Sequence, residues 1–223
     1  MANGKLYIVA TPIGNLGDLT LRAEEILKSV DLVACEDTRH SGILLKHYKI
    51  DKPKLSFHSH SGHAKVIKIL AYLKGGDDVA LISDAGTPGI SDPGYVLIDA
   101  AIDLGIEVIP IPGPSAVITA LCASGLPTDK FLYLGFLPTK KGRQTLFKKI
   151  ADSEYTVVFY ESPHRLKKTL KQLKDHLKKD AKVVVAKELT KIYEKFYRGS
   201  IDEVYKQIPD KPKGEYVVMT KNF

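Results

Sequence analysis

Residues Val79–Gly94 read Val-Ala-Leu-Ile-Ser-Asp-Ala-Gly-Thr-Pro-Gly-Ile-Ser-Asp-Pro-Gly. The first four form an apolar, strand-like run. The next twelve hold three glycines and two prolines, with two Asp, two Ser and one Thr among them. Glycine lets backbone approach a ligand closely, and proline stiffens a turn. A rigid polar loop at the end of a buried strand is where an open α/β sheet holds its ligand. This segment therefore predicts both a parallel α/β sheet and the edge at which that sheet works.

The pattern repeats on both sides of the loop. Lys5–Ala10, Asp31–Cys35, Leu55–His58 and Ile106–Ile111 read as further strands. Leu19–Ser29, Arg39–Tyr48, Ala64–Leu73 and Tyr95–Leu104 read as amphipathic helices between them. Strands separated by helices imply a mostly parallel sheet covered on both faces. Pro110-Ile-Pro-Gly-Pro114 is the strongest break in the chain, with Ser115 at an N-cap position before a helix over Ala116–Ala123. It divides the chain into residues 1–113 and 114–223. The second part reads as strands Phe131–Phe136, Tyr155–Tyr160, Lys182–Ala186, Glu194–Arg198 and Tyr216–Thr220, with helices Gly142–Ile150 and Pro163–Leu177.

Charge divides at the same place. The whole chain of 223 residues carries +7, but residues 1–113 hold 11 Lys+Arg and 14 Asp+Glu. Residues 114–223 hold 22 and 12, a net +10. Such asymmetry fits either a polyanionic partner or a lysine-rich solvated surface. Leu166, Leu170, Leu173 and Leu177 form a buried stripe on one helix. The opposite face carries Arg165, Lys167, Lys168, Lys171, Lys174, Lys178 and Lys179 against the single acid Asp175. Lys140, Lys141, Arg143, Lys148 and Lys149 make a second basic cluster. No apolar run is long enough for a membrane span, and the N-terminus has no signal-peptide pattern, so a cytoplasmic protein is expected. Cys35 and Cys122 match no ligand spacing and read as small buried apolar residues.

Each loop after a strand is polar or rich in Gly and Pro. Ala10–Asp18 is neither a Gly-x-Gly-x-x-Gly fingerprint nor a Walker loop, which argues against nicotinamide dinucleotides and P-loop chemistry. In Cys35–Arg39, Asp37 or Thr38 suits either a helix cap or a substrate contact. His58 and His60 point to one face of a strand, and no neighbouring acid or cysteine completes a metal set. Proton handling suits them at least as well. No metal is expected.

Taken together, Val9–Ala23, Glu36–Arg39, Ser83–Gly94, Ile111–Ala116, Gly135–Pro138, Phe159–Leu166 and Glu188–Lys191 closely resemble, in order, the tetrapyrrole-methylase superfamily. The resemblance is to the branch that methylates the 2′-hydroxyl of a cytidine ribose in small-subunit ribosomal RNA. It implies a class III methyltransferase of two α/β domains, the first with a mostly parallel sheet and the second with a mixed one. S-adenosylmethionine is implied in the cleft between them, in a homodimer acting on the decoding region. By the same resemblance the cofactor touches Pro12, Asp84, Ala85, Gly86, Thr87, Pro88, Ser115, Ala116, Phe136 and Tyr160.

A ribose hydroxyl is a poor nucleophile near neutral pH, so a base must take its proton. Asp37, His58, His60 and Glu161 are the candidates, with Asp37 and Glu161 expected to be dispensable for folding. Arg39, Arg165 and Lys187 would hold flanking phosphates, with Lys140, Lys141, Arg143 and Lys168 extending the RNA surface. Three features depart from the family pattern. His58-Ser-His-Ser61 replaces a His-Glu-His-Asn stretch, Lys187 replaces an arginine, and the usual C-terminal extension is missing beyond Phe223. Two rival readings are a methyltransferase for a small tetrapyrrole-like acceptor and a non-catalytic relative that binds RNA or cofactor.

Overall fold

The computed structural model describes residues 2–58 and 62–223. Its contacts divide the chain into two units, residues 1–115 and 116–223, with the division two residues later than the Pro-Gly-Pro break suggests.

The first unit is built from β1 (Leu6–Val9), α1 (Leu21–Ser29), β2 (Leu32–Cys35), α2 (Thr38–His47), β3 (Lys54–Ser56), α3 (His63–Lys74), β4 (Val79–Ile82), α4 (Tyr95–Asp103) and β5 (Val108–Ile111). Every strand pairing is parallel, in the order β3-β2-β4-β1-β5. β2 and β4 are buried at all four positions. Alternation sends Leu32, Ala34, Val79 and Leu81 to one face, against Ile69, Leu73 and Leu97. It sends Val33, Cys35, Ala80 and Ile82 to the other, against Ala23, Leu27 and Leu45. Helix α1 begins at Leu21, not Leu19, because Thr20 is its N-cap: the Thr20 hydroxyl accepts the Ala23 N–H at 3.1 Å.

In a fully parallel sheet all strand-end loops lie along one edge. After β2 the chain runs outward to β3; after β4 it runs the other way, to β5. The adjacent carboxyl ends of β2 and β4 are thus the topological switch point, where such sheets open a crevice.

The second unit holds α5 (Ala116–Cys122), β6 (Phe131–Phe136), α6 (Arg143–Ala151), β7 (Thr156–Glu161), α7 (Pro163–Lys174), β8 (Lys182–Lys187), β9 (Lys195–Gly199), α8 (Ile201–Gln207) and β10 (Tyr216–Lys221). Its sheet runs β6-β7-β10-β8-β9, parallel only between β6 and β7, so it is mixed as expected. Phe147, Phe159, Leu166, Leu170, Leu173, Val185 and Val218 form its core, with Leu177 packed at the margin. Helix α7 ends at Lys174, short of the predicted Leu177. Helix α8 was not read from the sequence, although Ser200 and Glu203 form a capping box at its start. Cys35 is buried as expected, but Cys122 is exposed, its thiol donating to the Thr119 carbonyl at 3.2 Å. Cys122 lies in the last turn of the short helix α5, on the side away from Val117, Ala120 and Leu121.

Candidate active site

The loops after β1, β4 and β5 are fastened to one another. Thr11 and Gly86 exchange backbone hydrogen bonds of 2.9 and 3.0 Å. The Thr11 hydroxyl donates to the Ser83 carbonyl at 3.1 Å, and the Thr87 hydroxyl to the Pro114 carbonyl at 3.2 Å. Gly86 sits at φ +82°, in the left-handed region that favours glycine. Gly113 lets its loop approach β1, since a Cβ there would lie 2.9 Å from the Ala10 Cβ. Pro12, Gly86 and Pro88 are buried, Asp84, Thr87 and Ser115 half-buried, and Ala85 exposed. The loop after β2 joins this set through Asp84, whose carboxylate accepts the Asp37 N–H at 3.2 Å.

Carboxylates gather at the switch point. Asp92, at the far end of the Ser83–Gly94 loop, has its pKa pushed up to about 6. Burial is the main cause, the negative charges of Glu36 and Asp84 add to it, and the Ser83 hydroxyl partly offsets it. Burial raises Glu36 too, with the negative charges of Asp84 and Asp37 adding to it, while the His58 imidazole lowers it. Ser91, just before Asp92, has φ +62°, unusual for a residue with a side chain. Among the described residues no group of three or more His, Cys, Asp or Glu is arranged to hold a metal ion.

Asp37 is the N-cap of α2. It accepts the Arg39 N–H at 2.8 Å and the Arg39 guanidinium at 3.1 and 2.7 Å. These bonds hold its carboxyl well below the usual carboxylate range, which makes Asp37 a poor proton acceptor. The Arg39 side chain remains 90% exposed, with donors left for a further anion. His58 is half-buried, and His60 lies outside the described residues.

The second unit overturns two expectations. Glu161 shares the core face of β7 with Val157 and Phe159, and its side chain has no exposed surface. It accepts from the Ser162 N–H at 2.8 Å, the Thr169 hydroxyl at 2.6 Å and the Arg165 guanidinium at 2.8 Å, with Arg143 at 3.7 Å. A carboxylate so enclosed is an anchor and not an available base. Arg143 is buried rather than RNA-facing. Its guanidinium donates to the Pro138 carbonyl at 2.8 Å, Thr169 at 2.6 Å and Gln172 at 3.1 Å. Burial holds its pKa below the usual arginine value, an effect that Glu161 only partly offsets. Arg165 divides its donors between Glu161 and the Leu137 carbonyl, and is only partly exposed.

Phe136 and Tyr160 meet at 5.3 Å between ring centroids, beside a bulge where Gly135 takes φ +61°. Lys140, Lys141 and Lys168 are exposed, and Lys187 is half-buried at the end of β8. The lysine face of α7 is less free than its own sequence suggests. Asp210 pairs with Lys167 at 2.7 Å and Asp202 with Lys174 at 2.5 Å, so other segments supply the missing acids.

The family model of tetrapyrrole (corrin/porphyrin) methylases matches residues 5–205. The chain belongs to the tetrapyrrole methylase family. Membership makes it a methyltransferase with S-adenosylmethionine as its methyl donor. A Synechocystis protein named ribosomal RNA small subunit methyltransferase I is 50% identical over 97% of this chain and 78% of its own length. A Thermotoga maritima protein of the same name is 45% identical and is covered over 97% of both chains. The C-terminal extension is therefore not common to all these relatives. Among solved structures, the uroporphyrin III C-methyltransferase of Thermus thermophilus superposes with a TM-score of 0.68 at 17% identity, over 97% of each chain. A cobalt precorrin-4 methyltransferase does so at 0.69 and 19%, over 96% of this chain and 94% of its own. At that identity the likeness concerns the fold.

The shifted carboxyl that the sequence alone does not single out is Asp92. It stands inside the most informative loop, yet nothing local marks it apart from Asp84. What distinguishes it is the company of Glu36, 56 positions earlier in the chain.

Proposed function

We propose that this methyltransferase acts on the ribose 2′-hydroxyl of a cytidine in the decoding region of small-subunit ribosomal RNA. The observation that carries the reading is the depth of similarity. Identity of 45–50% extends over nearly the whole chain to proteins named for ribosomal RNA, against 17–19% to the tetrapyrrole enzymes. The net +10 of the second half supports a polyanionic substrate.

The residues of the first unit suit the donor. Its sulfonium and ammonium are positive, and the two neighbouring charges acting on Asp92 are both negative. Pro12, the Asp84–Pro88 loop and Ser115 would hold it, with Gly86 admitting close backbone contact. When bound, S-adenosylmethionine supplies a methyl group already activated for displacement, so holding the acceptor in line is the protein's main task. Asp92 is the side chain we assign to the proton. A carboxyl with pKa about 6 is ionised near neutral pH and still basic enough to accept from a hydroxyl in the transition state. His58, whose charge acts on Glu36, is the group we assign to pass that proton on. Arg39, Lys140, Lys141, Lys168 and Lys187 are assigned to phosphates; Arg143 is not, and Arg165 only in part.

The setting is the cytoplasm, where ribosomal subunits are assembled, and the working form is a homodimer, which sedimentation of the purified protein would read. Among the described residues no helix is long and apolar enough to cross a membrane. The deciding experiment incubates the protein with radiolabelled donor and small ribosomal subunits lacking the modification, then maps the labelled nucleotide. Label on a decoding-region ribose is expected. Label on porphyrin-like acceptors alone would overturn the reading.

A further inference from the structure

The connection between β8 and β9, residues 188–194, is built unlike an ordinary hairpin loop. Glu188 (φ +50°) and Thr190 (φ +67°) both occupy the left-handed region without being glycine. Such conformations persist only where surrounding contacts over-determine them. Here the contacts are dense. The Glu188 N–H donates to the Glu215 carbonyl at 3.0 Å, and the Glu215 N–H donates back to the Glu188 carboxylate at 2.9 Å. The Lys191 ammonium bridges Glu188 at 3.3 Å and Glu215 at 2.9 Å. The Glu194 carboxylate accepts the Thr190 N–H at 2.6 Å, and Leu189 is buried beneath.

This scaffold holds two large apolar side chains out in water. Ile192 is 95% exposed and Tyr193 is 72% exposed. The contacts that hold the loop come from Glu188, Leu189, Thr190, Lys191 and Glu194, and not from these two side chains. The charge around them is also telling. Lys191 and the Thr190 N–H occupy the three glutamates of this neighbourhood: Glu188, Glu194 and Glu215. At the base of the hairpin, Lys187 and Lys195 stand directly opposite each other in the ladder. Like charges in that position repel, and an anion between them removes the penalty. An exposed aromatic ring on a rigid turn, flanked by lysines, is the arrangement on which unpaired bases stack.

We propose that the 188–194 tip is an RNA-reading surface, in which Tyr193 stacks on an unpaired base of the substrate while Lys187 and Lys195 hold adjoining phosphates. The inference rests on the ribosomal RNA reading above and adds to it a surface on the second unit. Ile192 extends the apolar platform beside the ring.

The test compares Tyr193→Ala and Tyr193→Trp with the parent protein. Tyr193 is mostly exposed, so both variants should keep the parent's melting temperature and donor affinity. Stacking of one base predicts that Tyr193→Ala weakens binding of a single-stranded RNA oligonucleotide by about 5- to 100-fold and raises KM for small subunits similarly, with kcat little changed. Tyr193→Trp should restore both. Parent-like RNA affinity in Tyr193→Ala would overturn the proposal. So would a Tyr193→Ala protein whose only change is a shift from dimer to monomer in sedimentation, which would assign the tip to a second copy of the chain. The oligonucleotide assay needs no methyl transfer. A parent protein that labels no ribosomal RNA would sink the functional reading, whereas an insensitive Tyr193 would sink only this one.

Discussion

Two strand ends in this protein carry acidic residues inside signature loops, and they are treated in opposite ways. At the end of β7, Glu161 is enclosed by two guanidiniums, a hydroxyl and a backbone N–H. In the loops after β2 and β4, the charges of Glu36 and Asp84 that act on Asp92 are both negative. The first arrangement neutralises a carboxylate and uses it to hold the turn at Leu137 and Pro138, whose carbonyls accept from the same arginines. The second leaves Asp92 under like-charge repulsion, which opposes folding once that carboxyl is ionised. Residue type does not separate structure from chemistry here; the partners do.

The sharpest way to break this contrast is Asp92→Asn. It should lower kcat by about 10²- to 10⁴-fold, the usual scale of general-base catalysis, while calorimetry finds the donor still bound. Parent-like kcat would take Asp92 out of proton transfer. Glu161→Gln should act on the fold instead. Leaving Arg143 buried without its counter-charge costs about 3–5 kcal/mol, read as a lowered denaturation midpoint, with activity falling only as folded protein is lost. A stable but inactive Glu161→Gln protein would return Glu161 to the chemistry.

The pH dependence sharpens the same comparison with a smaller effect. A base must be ionised, so kcat/KM should rise with pH through about 6. Glu36→Gln removes a negative neighbour and should move that limb to lower pH; an unmoved limb would detach it from Asp92. The stability sign follows from the raised pKa. Ionising Asp92 is harder in the folded chain than in the unfolded one. Its penalty therefore grows as pH rises from the ordinary carboxylate range through about 6 and is complete above. Asp92→Asn should consequently melt higher than the parent at pH 8, with the gap closing at pH 4. The smallest effect belongs to Lys168→Ala, which should weaken RNA binding uniformly across sequences and reduce the salt slope by about one. An unchanged slope would make Lys168 a solvated surface residue.

Much of this was legible in advance, for a local reason. Alternating apolar runs and amphipathic stretches report a parallel sheet because burial on both faces imposes its period on adjacent residues, as Val79–Ile82 shows. Glycine and proline mark the working edge because backbone limits act within a residue or two, as at Gly86. The basic stripe of α7 was only half legible, since Asp202 and Asp210, which pair with two of its lysines, come from later in the chain. Glu161 alternates with Val157 and Phe159 along β7, so its interior place follows from the strand's period once the strand runs to residue 161.

The amino-acid order by itself determined the two-part α/β architecture, the row of polar strand-end loops and the uneven charge, because each depends on neighbours along the chain. Tertiary structure alone decided that Arg143 turns inward to Thr169 and Pro138, that Glu161 anchors a turn, and that Asp92 feels the charge of Glu36. Those outcomes depend on the field and burial each side chain meets after folding. That environment is assembled from residues tens of positions apart, on which no local pattern reports.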